Sequence, residues 1–226
     1  MTGHPVKKKR DDWLLWCFFL LHDARDAREL YDATVDPDKP AINGHPMPID
    51  DPTYRAFVHK LLFESKRRQE HLAAMLLAGT ITMEAWQEGT ARNVAALWLV
   101  LAALAYGSFN AHPDVGDPDA PGSFAFSVGR LQNFAEDLEK GEAGSDAQVK
   151  QRAGQYVDSA WSGWEKLRKD AAQEEGYTEE RNVLGDAHHC NECPELTRQG
   201  WQPIGTMPLP GSRECFLGCK CHMEYQ

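Results

Sequence analysis

Five of the six cysteines fall in the last 37 residues, as Cys190-x2-Cys193, then 21 residues, then Cys215-x3-Cys219-x-Cys221. A two-residue spacing lets two thiolates reach one metal ion from a tight turn, and a second group about twenty residues on closes a tetrahedral site. The expected ligands are Cys190, Cys193, Cys215 and one of Cys219 or Cys221, the other of that pair being spare. A structural zinc ion would supply the stability that so short a segment lacks. Disulfides are the alternative, since a protein released from a lysed cell meets an oxidising medium. His188, His189 and His222 flank the cysteines and could each supply a ligand. A catalytic metal keeps an open position and usually has histidine and carboxylate ligands. Here Glu192, Glu195 and Glu214 read as solvated surface. There is no His-Glu-x-x-His helix, no nucleophile elbow and no phosphate-binding glycine loop. The expectation is therefore a protein that is not an enzyme.

These cysteines sit in a segment, 176–226, whose composition differs from the rest. It holds Gly176, Gly185, Gly200, Gly205, Gly211 and Gly218, interleaved with Pro194, Pro203, Pro208 and Pro210. It is too short and too rich in turns to build its own hydrophobic core. Trp201 to Gly205 and Met207 to Gly211 read as strand ends and tight turns, and Cys221 to Tyr225 as a closing strand. Trp201 and Tyr225 are expected to supply a small apolar patch.

Residues 1–175 read as a helical body. The fold class is mainly α: a bundle of about five helices, arranged as helical hairpins, with a small cysteine-rich knuckle of turns and short strands at its C-terminal end. A first helix is expected over 11–34, with Trp13, Trp16, Cys17, Leu20, Leu21, Ala24 and Tyr31 at three- and four-residue steps. Leu14, Leu15, Phe18 and Phe19 make its first half apolar all round. Trp13, Trp16, Phe18 and Phe19 therefore read as an interface for the protein's own core or another chain. Residues 35–52 form a proline-rich loop. Asp51-Pro52 opens a second helix that Gly79 ends near Ala78. Thr82 caps a third helix reaching Gly107, a second proline-bearing loop covers 108–122, and a fourth helix covers 124–140. Ser145 caps a fifth, reaching Glu175, with Val149, Ala153, Tyr156, Ala160, Trp164, Leu167 and Ala171 as its apolar stripe. The succession of helix, glycine, Thr or Ser cap and helix occurs at both Gly79 and Gly141, as two packed hairpins would require.

Composition excludes other roles. Lys and Arg number 24 against 34 Asp and Glu, a net charge of −10. A general nucleic-acid surface needs the opposite balance, and Lys7 to Arg10 reads as a short solvated arm. That basic run and the apolar stretch after it look like a signal peptide, but Asp11 and Asp12 interrupt it and no small-residue cleavage site follows. The longest uncharged apolar stretch, Val94 to Tyr106, is 13 residues, which suits a core helix rather than a membrane span.

Several local patterns resemble the C-terminal end of tailed-bacteriophage head proteins. They are Arg181 to Gly185, His189-Cys190-x2-Cys193, Gly200-Trp201-x-Pro203-Ile204-Gly205, Leu209-Pro210-Gly211 and Cys215-x3-Cys219-x-Cys221. The group is that of the minor head or head-morphogenesis proteins, the Mu F-like proteins and their relatives. Leu77 to Trp86 and Leu131 to Tyr156 are similar to the helical region ahead of that tail, so the likeness spans about 55–226. It implies a virion structural protein, assembled in the host cytoplasm. Portal, capsid or connector subunits would be its partners, in an oligomeric particle and without catalysis. The competing function is a zinc-knuckle module that contacts nucleic acid through Arg181, Arg198, Arg213 and Lys220.

Overall fold

The computed structural model describes residues 24–32, 52–106, 124–186, 188–214 and 219–226. Seven helices and three strands occur among them. The body contains α1 (Ala24–Asp32), α2 (Pro52–Leu77), α3 (Met83–Tyr106), α4 (Phe124–Lys140), α5 (Asp146–Asp158) and α6 (Ala160–Glu174). The knuckle contains β1 (Glu179–Val183), α7 (Glu192–Arg198), β2 (Gln202–Pro203) and β3 (His222–Tyr225).

The core is organised on α3. Every residue from Val94 to Ala105 is buried, because α1, α2, α4 and α6 all pack on this helix. Full burial of a leucine contributes roughly 1.5–3 kcal/mol, and Leu97, Leu99, Leu101 and Leu104 are each removed from water. Edge-on aromatic pairs fix the neighbours: Trp86 meets Phe134 at 5.6 Å and Trp98 meets Phe124 at 6.1 Å. By length and composition α3 could cross a bilayer, but 83% of its most apolar window is buried inside the fold.

Both hairpins are present. Gly79 and Gly141, at φ 68° and 71°, take the left-handed conformation that ends α2 and α4. Thr82 Oγ1 accepts the Ala85 N–H at 3.2 Å. Ser145 and Gln148 form a reciprocal capping box at the start of α5. The hairpins pack through α2 on α5, with Lys66 bridging to Asp158 at 2.7 Å. The polar middle of α2 is only partly solvated, for Ser65 and Gln69 are buried. Gln69 donates to the Thr90 carbonyl at 3.1 Å, and Asn93 donates to the Ser65 carbonyl at 2.9 Å. These bonds join α2 to α3 and satisfy groups that would otherwise be costly to bury.

The helix expected from Ser145 to Glu175 is divided at Ser159. Its hydroxyl donates to the Tyr156 carbonyl at 2.8 Å and lies 3.0 Å from the Ser127 hydroxyl. Such back-bonding bends helices. The expected apolar stripe survives the break, and all seven of its residues are buried. The knuckle departs further from expectation, since it includes α7 and a central strand, β1. Its apolar cluster consists of Ala172, Met207, Met223 and Tyr225. Trp201 lies apart from that cluster, under the Arg181 guanidinium at 4.6 Å. The first part of the N-terminal helix with Trp13, Trp16, Phe18 and Phe19, and both proline-bearing loops, lie outside the described residues.

Candidate metal centre

A three-stranded sheet in the order β2-β1-β3, antiparallel throughout, frames the cysteines. Strand β1 pairs Val183 with His222 and Asn182 with Met223. The chain leaves β1 through Gly185, presents Cys190, and starts α7 with Cys193 in its first turn. It returns past Cys219 and Cys221 into β3. The end of β1 and the start of β3 are neighbours, so the two halves of the cysteine pattern meet there. Cysteines 219 and 221 are two residues apart, the step that places side chains on one face of an extended chain.

The sulfur atoms of Cys193, Cys219 and Cys221 lie within 4.8 Å of one another, and all three residues are buried. Cys190 Sγ is 3.4 Å from Cys193 Sγ and half-buried. A tetrahedral zinc tetrathiolate has sulfur–sulfur separations of about 3.8 Å, from a metal–sulfur bond of about 2.3 Å. None of the four is joined to another by a disulfide among the described residues. Both Cys219 and Cys221 thus join the group, whereas the spacing alone assigned one of them as spare. Cys215, the other expected ligand, lies outside the described residues.

Several backbone and side-chain groups hold the sulfurs. Gly185 donates its N–H to Cys221 and passes so close to Lys220 that a Cβ there would lie 2.0 Å from the Lys220 carbonyl oxygen. Asn182 donates to the Cys193 carbonyl at 3.1 Å, pinning α7 to β1. The Arg213 guanidinium is buried, donating to Asn182 Oδ1 at 2.6 Å and lying 3.7 Å from Cys193 Sγ. His189 Nδ1 stands 3.6 Å from Cys221 Sγ. His188 is exposed, and His222 turns its Nε2 toward Glu224 at 3.7 Å. Hydrogen bonding with Cys219, then burial, pushes the Cys221 thiol well above the ordinary range. Burial does the same to Cys193, against the pull of Arg213. A divalent cation reverses this balance by binding the thiolates directly.

The cluster is tied to the helical body by one face of α6. Trp161 Nε1 donates to the Cys221 carbonyl at 3.1 Å. Glu165 Oε2 accepts the Met223 N–H at 2.9 Å, and Arg168 donates to the Met223 carbonyl at 3.0 Å. Glu165 and Arg168 are themselves paired at 3.3 Å and buried. These three side chains satisfy the edge of β3 that β1 leaves open. The ring of His59 stacks on Trp161 at 4.5 Å. On the other side, buried Glu180 accepts the N–H groups of Gly205 and Met207 at 2.9 and 2.7 Å, shaping the loop after β2. Sequence reading missed Glu165, Arg168, Glu180 and Asn182, since charged and amide side chains read as surface until their partners are known.

An all-sulfur, buried donor set suits a soft or borderline metal held for structure. Among the described residues no carboxylate joins the cluster, and the nearest acidic group in sequence, Glu192, accepts the Glu214 N–H at 3.0 Å instead. No family model matches the chain, and neither a curated protein nor a solved structure matches it.

Proposed function

We propose that the chain is a structural protein of a bacteriophage particle, acting in head assembly or at the portal through protein–protein contacts. Its knuckle is a non-catalytic module closed by one zinc ion on Cys190, Cys193, Cys219 and Cys221. The observation that carries the zinc reading is the convergence of three buried sulfurs, Cys193, Cys219 and Cys221, within 4.8 Å of one another, with Cys190 Sγ beside Cys193. The particle role rests on the likeness of the tail motifs to head-morphogenesis proteins. The net charge of −10 favours partners other than DNA.

The competing nucleic-acid reading loses most of its cations. Arg213 is buried. Arg181 pairs with Glu224 at 2.8 Å, and Arg198 with Glu195 at 2.7 Å. Of the three that are not buried, Lys220 alone makes no ion pair among the described residues.

Two measurements test the proposal. Metal analysis of the purified full chain is expected to find about one zinc per chain, with thiols that react only after unfolding. Few free thiols and no metal would mean a disulfide-stapled tail. Antibody detection on density-purified particles from the source of this sequence is expected to find the chain in the particle. Its absence from particles and from assembly intermediates refutes the virion role.

A further inference from the structure

The α4–α5 hairpin carries an open cleft of about 300 Å³ whose lining holds no cysteine. Phe126, Arg130 and Asn133 face it from α4, and Arg152, Gln155 and Tyr156 from α5. These positions recur at three- and four-residue steps, so each helix presents one side to the cleft. No acidic side chain lines it, which is unusual in a chain of net charge −10.

Its polar lining groups are mostly hydrogen-bond donors. Arg130 is exposed and makes no ion pair among the described residues, and its guanidinium lies 5.1 Å from the Phe126 ring centre. Arg152 meets Asp137, outside the cleft lining, at 2.7 Å. That leaves other guanidinium protons available, and Arg152 Nε reaches the Tyr156 hydroxyl oxygen at 3.3 Å. Because that oxygen accepts, the phenolic proton is left to donate elsewhere. Burial raises the Tyr156 pKa, so the proton stays in place at neutral pH. The amides of Asn133 and Gln155 add further donors to the lining.

We propose that this cleft binds a phosphate group, either the free ion or a monoester. Donors approach from two opposing walls. A planar carboxylate is satisfied by a single guanidinium fork, whereas a tetrahedral phosphate accepts from both walls, from Arg130 and from the protons that Asp137 leaves free on Arg152. The Phe126 ring supplies an apolar wall beside the anion, fitting the organic part of an ester. The site is independent of the zinc knuckle and of the proposed virion role.

The test is a titration of the full, metal-loaded, nitrogen-15-labelled chain with inorganic phosphate and, separately, phenyl phosphate. Sodium chloride holds the ionic strength constant, and acetate serves as the carboxylate comparison. Saturable shifts confined to α4 and α5 are expected, with acetate clearly weaker. Arg130→Gln is expected to weaken phosphate binding at least about tenfold. Arg130 is exposed, so this variant should fold, and an unchanged melting temperature verifies that. Tighter binding of phenyl phosphate than of phosphate identifies an ester beside Phe126, and equal binding identifies the free ion. Non-saturating shifts spread over the chain, equal binding of acetate, or undiminished binding by a folded Arg130→Gln chain would overturn the proposal.

Discussion

Arg213 lies beside the cysteine cluster with its guanidinium removed from water. In the sequence it is one of four cations near the cysteines. In the fold it is buried, 3.7 Å from Cys193 Sγ, with Asn182 and the Pro208 carbonyl taking its other donors. A zinc tetrathiolate carries a net charge of −2, and a buried guanidinium offsets part of it. Arg213→Met is expected to keep the four ligands yet weaken zinc affinity by about 10–100-fold, measured by competition with a chromogenic chelator. Cys219→Ser and Cys221→Ser should each abolish stoichiometric zinc. Retention of zinc in both of these variants would reject the proposed ligand set. Glu165 and Arg168 make a second buried charge system. Removing one member of such a pair costs about 3–5 kcal/mol, so urea unfolding of Arg168→Met should show a loss of that order. The double variant Glu165→Leu/Arg168→Met should lose less. Burial raises the Glu165 pKa above its ordinary value, against the pull of Arg168. Its folded pKa then exceeds its unfolded one. The stability this group contributes is fully present below the ordinary carboxylate range and is lost as pH rises through the folded value. The stability difference between wild type and Glu165→Gln should therefore shift against wild type between acid and neutral pH. The pairing of Cys190 with Cys193 was readable from spacing, because two thiolates three residues apart have few other uses. The roles of Arg213 and Glu165 were not, because burial of a charge depends on partners 31 and 58 residues away in the chain.

At the scale of elements, α6 is the hinge of the design, touching the core with one face and the knuckle with another. Its close approach to α3 needs Gly163, where a Cβ would lie 2.0 Å from the Trp98 ring. Gly163→Ala is expected to destabilise the chain by about 1–3 kcal/mol through overpacking, seen as a lower urea midpoint with an unchanged slope. An unaltered midpoint would mean that Trp98 can move aside. Helix ends were largely legible in the sequence. Gly79, Thr82, Gly141 and Ser145 each act through local backbone chemistry, and α4 has the bounds expected for it. The break at Ser159 was hidden because the apolar stripe continues across it unchanged. Helix α7 was hidden for a different reason: its seven residues contain Pro194 and too few apolar positions to show a period. Strand β1 is short, and alternating burial is imposed on Glu180 and Asn182, polar residues that find partners inside. No binary pattern records that.

For the whole molecule, the structure joins a cysteine-rich module to a helical bundle through three side chains and one small apolar cluster. Zinc binding and docking on α6 should therefore be coupled. Chelation of the full chain is expected to raise amide exchange in β1, β3 and α7 strongly while α3 stays protected, and zinc addition should reverse it. Uniform exchange throughout the chain after chelation would mean that the bundle depends on the metal as well. The outer edge of β3, which α6 covers, gives this coupling a further consequence. In the docked state, Met223 has both its N–H and its carbonyl engaged by Glu165 and Arg168. Undocked, the same strand offers a bare ladder of donors and acceptors, the template on which chains add to one another. Losing the metal would then turn a capped sheet into a seed for polymerisation, and α6 is the guard that keeps the fold from propagating beyond itself.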